Sequence, residues 1–429
     1  MKILWHSTSP ESHSGYGVVT RELVRRLREA GHFVRIATKH AYAHWGCWID
    51  RQRIREHLSE ARLRFASSER KLAIEHLEAA QAELDGVEIF EGTNAAIVNE
   101  MVEAEGFDYV FTLWDIWLLH GKRHYPREKW IAYIPVDTEW ISDTLKEVCL
   151  GQDPKADADG GTKGPGWHIA MSRHGERELR SIGLDPYYAP HGVDPNVFKP
   201  DEGGRKRFQE EHGLKGDEFV IGAVGLNYGE DRKGFIPLMR AFKRFHERHP
   251  EARLYLHTHI EGKYSGTLPY LRIAQKLGIT EWLRAPHQGS NDIGRIDEGW
   301  LNDCYNGMDV FCLPTRGEGF GIPLVEAGAA GIPIITTDTT TGPELVNDKG
   351  WLIRTDQDQL RYLPNNTFRY EVGEGPVLEC LEAAWQSWKY GNWLKVKKMA
   401  QENASRYSWD TVWETYWKPF FEAIEKRLK

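Results

Sequence analysis

Pro314-Thr-Arg-Gly-Glu-Gly-Phe-Gly-Ile-Pro-Leu-Val-Glu-Ala327 follows directly on the apolar run Val310-Phe-Cys-Leu313. The run reads as a buried strand ending at Leu313, the three closely spaced glycines as a turn, and Ile322 to Ala330 as a helix. Backbone N–H groups of such a turn, and the positive end of the helix behind it, point to where a phosphate can sit. Glu318 lies in the turn and Glu326 one or two turns into the helix. A carboxylate accepts two hydrogen bonds side by side, so these two suit paired sugar hydroxyls at two places along one ligand.

Outward from this stretch the same alternation recurs. Strands are expected at Phe219–Val224, Arg253–His257, near Trp282–Ala285, at Pro333–Thr336 and at Trp351–Ile353. Helices are expected at Pro237–Arg248, Leu268–Leu277 and Leu301–Tyr305, after which the chain ends in helices, the last from Asp410 to about Arg427 capped by Ser408 or Asp410. Toward the N-terminus, Lys2–Trp5 reads as a strand, His6–Tyr16 as a polar loop carrying Gly15, with Gly17 just beyond it, and Val18–Ala30 as a helix closed by Gly31. Strands follow at Phe33–Ala37, Val87–Phe90, Tyr109–Leu113, Trp130–Ile134 and His168–Met171. Two doubly wound α/β lobes are the expectation for 429 residues, with ligands at the carboxyl ends of the strands. The proline-rich Tyr187–Pro200 reads as the linker, which sets an N-terminal lobe at 1–195 and a C-terminal lobe at 196–409. Residues 410–429 are expected to pack back on the first lobe, because Val412, Trp413, Tyr416, Trp417, Phe420, Phe421 and Ile424 form a wide apolar stripe.

A net charge of -8 argues against a long phosphate-gripping surface of the nucleic-acid type. Five scattered cysteines without a C-x-x-C pair fit a reducing compartment, so a cytoplasmic location is expected. Nothing after Met1 resembles a signal h-region, and no stretch approaches ~18 apolar residues. Residues Arg51–Leu84 have the pattern of a long amphipathic helix or helix pair, preceded by Trp45 and Trp48. A weak membrane-surface contact is one reading of it; the interleaved acids favour a solvated face packed on its own lobe. Asp157-Ala-Asp159 matches a bare D-x-D metal motif but sits in a breaker-rich loop without a supporting strand, and His257-Thr-His259 could ligate metal on spacing alone but reads equally as a strand end facing the cleft; no metal or other cofactor is expected.

The turn and its surroundings resemble the retaining glycosyltransferase family four, which has the GT-B fold and a Glu-x7-Glu signature, here Glu318 and Glu326. Gly331–Ile335, Gly342–Val346, Gly15 with Gly17, His191–Asp194 and Arg232-Lys-Gly234 are similar to that family in the same order, from Lys2 to about Ile353. The resemblance implies a hexose moved from a nucleoside-diphosphate sugar, UDP-glucose-like or GDP-mannose-like, to an acceptor hydroxyl, with retention of configuration and without metal. It implies that Glu326 holds the ribose and that Glu318, with Gly319, Phe320, Gly321 and Ile322, lines the sugar and diphosphate. Lys233 would bind the diphosphate, where a fixed cation meets charge growing on the leaving oxygen. Relatives commonly carry a second cation about six residues before this lysine; Asn227 stands there, and Arg232 or Arg316 would replace it. In the first lobe Asp115 occupies the place of a histidine near the reaction centre, and Asp137 and Glu139 follow as groups to orient or deprotonate the acceptor. The alternatives are a non-catalytic sugar-nucleotide-binding subunit or another GT-B sugar enzyme such as an epimerase. A sugar, a polyol, a lipid-linked or a macromolecular acceptor all remain open, as does the oligomeric state.

Overall fold

The computed structural model describes residues 1–8, 10, 12, 14–38, 89–91, 102–120, 125–153, 164–227, 229–262, 266–287 and 298–428. Trp45, Trp48, the expected amphipathic helix at Arg51–Leu84, and Asp157 with Asp159 lie outside the described residues. Internal contacts divide the chain into two compact units. Met1–Tyr133 with Glu147–His168 forms the first, and Ile134–Lys146 with Ile169–Lys429 the second.

In the first unit parallel strands run in the order β3-β2-β1-β4-β5, where β1 is Lys2–Ser7, β2 Phe33–Thr38, β3 Ile89–Glu91, β4 Tyr109–Leu113 and β5 Trp130–Ile134. Every residue of β4 and β5 is buried, and apart from Thr112 both strands are apolar throughout. Trp5 stacks on Phe111 with ring centroids 4.1 Å apart. The helix after β1 runs Gly15–Glu29, so it starts earlier than its apolar periodicity suggests. Ser14 caps it, its hydroxyl accepting from the Gly17 amide, and both glycines therefore lie in the first helical turn rather than in or beside a loop.

The second unit carries the parallel order β10-β9-β8-β11-β12-β13, with β8 Phe219–Val224, β9 Ala252–His257, β10 Leu283–Arg284, β11 Val310–Leu313, β12 Ile334–Thr337 and β13 Trp351–Ile353. The order reverses between β8 and β11, and this switch point is where open α/β sheets bind ligands, at the carboxyl ends of the strands. β6 (Trp167–Ala170) and β7 (Tyr187–Tyr188) pair in parallel, Ile169 beside Tyr187.

Helices do not follow Ile353 at once. An antiparallel hairpin intervenes, β14 at Asp356–Leu363 and β15 at Thr367–Glu371, and only then the helices Glu374–Tyr390 and Trp393–Ser405. At the C-terminus Ser408 caps Trp409–Val412, a π-helical turn spans Trp413–Trp417, and a last helix spans Lys418–Lys426. Val412, Trp417, Phe420, Phe421 and Ile424 are buried. The Tyr187 hydroxyl donates to the Tyr416 carbonyl at 2.7 Å, and the Tyr187 and Phe420 rings lie 5.1 Å apart.

Candidate functional site

The two loops at the β8/β11 switch point are locked to each other before any ligand arrives. The Arg316 amide donates to the Arg232 carbonyl at 2.8 Å, and the Thr315 hydroxyl oxygen lies 3.2 Å from the same carbonyl. Gly234, at φ 72°, packs so closely on the Pro314 carbonyl that a Cβ there would run into it. Gly317 meets the Asp137 carbonyl in the same way, which brings the segment after β5 against the turn.

This packing sets Lys233 beside Glu318. The ammonium lies 2.7 and 3.0 Å from the two carboxylate oxygens, and the Thr315 hydroxyl donates to Oε1 at 2.9 Å. Arg232 Nη1 donates to the Gly317 carbonyl at 2.6 Å and approaches Glu318 Oε2 at 3.4 Å. Glu318 is 5% exposed, and burial alone would raise its pKa; the Lys233 ammonium and then the Arg232 guanidinium outweigh it and hold the carboxyl at about 2. At neutral pH the turn therefore carries an ionised carboxylate between two cations. Asp137 completes the group, its Oδ2 lying 3.7 Å from Arg232 Nη1 and 2.8 Å from Arg369 Nη2.

Glu326 has a different surrounding. It is buried on the helix Ile322–Ala329 and accepts a hydrogen bond of 2.7 Å from the Tyr305 hydroxyl. Burial pushes its carboxyl up to about 7, and the Tyr305 bond offsets this only in part. Between the two glutamates, the helix is entered through Gly321 at φ 102°, a conformation closed to most side chains. Phe320 is buried, its ring packed edge-on against His191 and Tyr407. Gly319 approaches Pro135 and Met171.

Two residues expected near the diphosphate are occupied with the protein itself. Asn227 donates to the carbonyls of His259 (2.6 Å) and Leu268 (2.7 Å) and accepts from the Leu268 amide, so its amide group ties loops together. Arg316 is buried, bound through Nε to Glu371 at 2.8 Å and through Nη1 to the Asp231 carbonyl. Asp231 in turn accepts from the Phe235 and Ile236 amides at the start of the next helix and from the Tyr270 hydroxyl. Of the expected cations, Arg232 and Lys233 are the two gathered at Glu318. Glu139 accepts from the Thr339 hydroxyl, beside the turn. Gly15, Gly17 and Asp115 assemble in the first unit, where the Tyr16 hydroxyl donates to Asp115 Oδ1 at 3.0 Å. Among the described residues no three His, Cys, Asp or Glu side chains stand close enough to hold a metal ion. Thr315, Tyr305 and Arg369 were missed from the sequence. Thr315 and Tyr305 could have been sought as hydroxyl partners of buried carboxylates; nothing local marks Arg369.

Residues 218–361 match the family described as Glycosyl transferases group 1. The chain carries a group 1 glycosyltransferase domain. That domain contains Lys233, Glu318 and Glu326, and its match ends inside β14. Over 168 residues the chain is 34% identical to the GDP-mannose-dependent alpha-(1-6)-phosphatidylinositol monomannoside mannosyltransferase of Mycolicibacterium smegmatis, covering 38% of this chain and 40% of that protein. The chain spans less than half the length of the curated relatives it matches. The backbone is similar to a glycosyltransferase from Rickettsia africae ESF-5, with 13% identity, a TM-score of 0.65 and coverage of 100% of this chain and 98% of the other. It is also similar to Alr3699/HepE of Anabaena, solved in complex with UDP, with 14% identity, a TM-score of 0.64 and coverage of 99% and 100%. The glycosyltransferase domain thus stands within a GT-B fold of two Rossmann-like parts.

Proposed function

We propose that this protein is a retaining, metal-independent hexosyltransferase that uses a nucleoside-diphosphate sugar. The observation that carries the reading is the ionised Glu318 held between Lys233 and Arg232 at the end of β11, beside a glycine-rich turn and a helix N-terminus. Lys233 and Arg232 face the diphosphate, Glu318 the transferred sugar, and Glu326 the ribose hydroxyls. In the reaction the bond from the anomeric carbon to the phosphate oxygen breaks and a bond from that carbon to the acceptor oxygen forms on the same face. The acceptor proton passes to the departing phosphate, so the nucleoside diphosphate leaves protonated and no protein nucleophile is needed. Lys233 stabilises the charge that grows on the leaving oxygen, which is a contribution made mainly in the transition state. Those fixed cations take the place a divalent ion would otherwise fill.

The name of the Mycolicibacterium relative supports a GDP-mannose-like donor, and the Anabaena complex supports a UDP-linked one. A cytoplasmic location accords with the free Cys149, Cys304, Cys312 and Cys380, and no helix among the described residues is long and apolar enough to cross a membrane. Donor turnover by purified protein with UDP- and GDP-sugars in EDTA tests the reading. Transfer or slow donor hydrolysis is expected to persist in EDTA, and Lys233→Ala to lower kcat about 10²–10³-fold. Activity lost in EDTA and restored by manganese refutes metal independence; a Lys233→Ala protein with unchanged kcat refutes the clamp.

A further inference from the structure

We propose that Arg369, on the β14–β15 hairpin, is a positioning residue of the donor site: by holding Asp137 it leaves Arg232 available to the diphosphate. The inference rests on the donor-site reading above and adds a residue that reading does not use. Arg369 Nη2 donates to Asp137 Oδ2 at 2.8 Å and Nε to the Asp137 carbonyl at 3.3 Å, and the side chain is only 15% exposed. The same Asp137 oxygen lies 3.7 Å from Arg232 Nη1, so two guanidinium groups share one carboxylate. An ideal Cβ on Gly317 would lie 3.5 Å from Arg369 Nε, which puts the guanidinium against the turn itself.

The charges at the turn show what Arg369 does. Arg232, Lys233 and Arg369 against Asp137 and Glu318 leave one positive charge, 3 − 2 = +1. Without Arg369 the set is neutral, Asp137 is left to Arg232 and, at longer range, to Lys233, and an incoming diphosphate meets a competitor for those cations. A truncated partner in a close charge pair costs mostly through the charge left behind. The hairpin is held without Arg369: the Glu139 amide donates to the Phe368 carbonyl at 3.1 Å, and the Thr367 hydroxyl to the carbonyls of Glu139 (2.7 Å) and Trp140 (2.8 Å). Glu371 adds ion pairs to Arg316 and Arg361. An anchor is already present, so the Arg369–Asp137 pair has a separate electrostatic task. The family match ends at Arg361, eight residues before it, 369 − 361 = 8.

Calorimetric titration of the full chain with UDP and with GDP tests this in wild type, Arg369→Met, Arg369→Lys, Asp137→Asn and the Arg369→Met/Asp137→Asn double variant. Arg369→Met is expected to weaken the preferred nucleotide about tenfold or more. Arg369→Lys should recover part of the loss. Asp137→Asn in the methionine background should bring affinity back to within about threefold of wild type, since the competitor is gone. A purely structural Arg369 predicts no such rescue, and a double variant as weak as Arg369→Met overturns the proposal. So does unchanged affinity in Arg369→Met. If Arg369→Met fails to fold, the decision falls to Asp137→Asn alone, which must bind at least as tightly as wild type. A wild-type protein that binds neither nucleotide removes the donor-site reading, and this inference with it.

Discussion

Glu318 and Glu326 are the same residue type eight positions apart, yet their surroundings drive their carboxyls in opposite directions. Glu318 is held at about 2 by Lys233 and Arg232 despite burial, and Glu326 is raised to about 7 by burial. A carboxyl raised in the folded protein keeps a proton that the unfolded chain has released, so its stabilising contribution falls as pH rises from its ordinary 4.5 through about 7. The difference corresponds to on the order of 3 kcal/mol lost across that window. Glu326→Gln keeps an oxygen for the Tyr305 hydroxyl and has no charge to bury. Urea unfolding at pH 8 should show this variant more stable than wild type by up to about 3 kcal/mol, with no gain at pH 4.5; equal gains at both values would mean the effect is not titration. The two glutamates were legible from the sequence by spacing alone. Their opposite ionisation was not, because it depends on Lys233, Arg232 and Tyr305 arriving from other elements.

At the scale of elements, the strands that read most clearly are those buried on both faces. Tyr109–Leu113, Trp130–Ile134, Phe219–Val224 and Val310–Leu313 have the bounds their apolar runs suggest. The β14–β15 hairpin escaped because its signal is alternation on an exposed ribbon. Leu360 and Tyr362 on one strand and Phe368 and Tyr370 on the other are set among Asp, Gln and Arg, and Pro364-Asn365-Asn366 forms the turn. The first helix begins ahead of its apolar periodicity because its capping serine and two glycines have the composition of a loop. The C-terminal stripe, by contrast, was visible from its three- and four-residue spacing. Removing residues after Trp409 deletes five buried apolar side chains, each worth about 1.5–3 kcal/mol on burial, and uncovers partners such as Tyr187. The truncated chain is expected to melt well below the full one and to aggregate. A monomeric truncation with an unchanged melting temperature in calorimetry would show that the stripe contributes nothing.

Over the whole molecule, a ligand that binds only the folded chain stabilises it in proportion to its occupancy. UDP or GDP, whichever is preferred, at about 100 times its dissociation constant is expected to add about 2.7 kcal/mol. Thermal unfolding with and without nucleotide measures this, and the shift should shrink in Arg369→Met at the same concentration. No shift with either nucleotide would count against the donor assignment as a whole. The fold class was readable because both halves repeat one strand–turn–helix grammar. The contact division was not: Ile134–Lys146 belongs with residues far downstream, and no local composition marks that return.

That return has a consequence for how the protein is made. Asp137 meets Arg369 across 232 residues of chain. At ~5–20 residues per second, the segment bearing Asp137 leaves the ribosome roughly 10–50 s before the strand that will hold it. Contacts this distant close late and slowly. The charge cluster at the turn is therefore among the last parts of the protein to be completed, and a nascent chain halted before Thr367 has a glycine-rich turn and Arg232 but lacks the Arg369 guanidinium that holds Asp137.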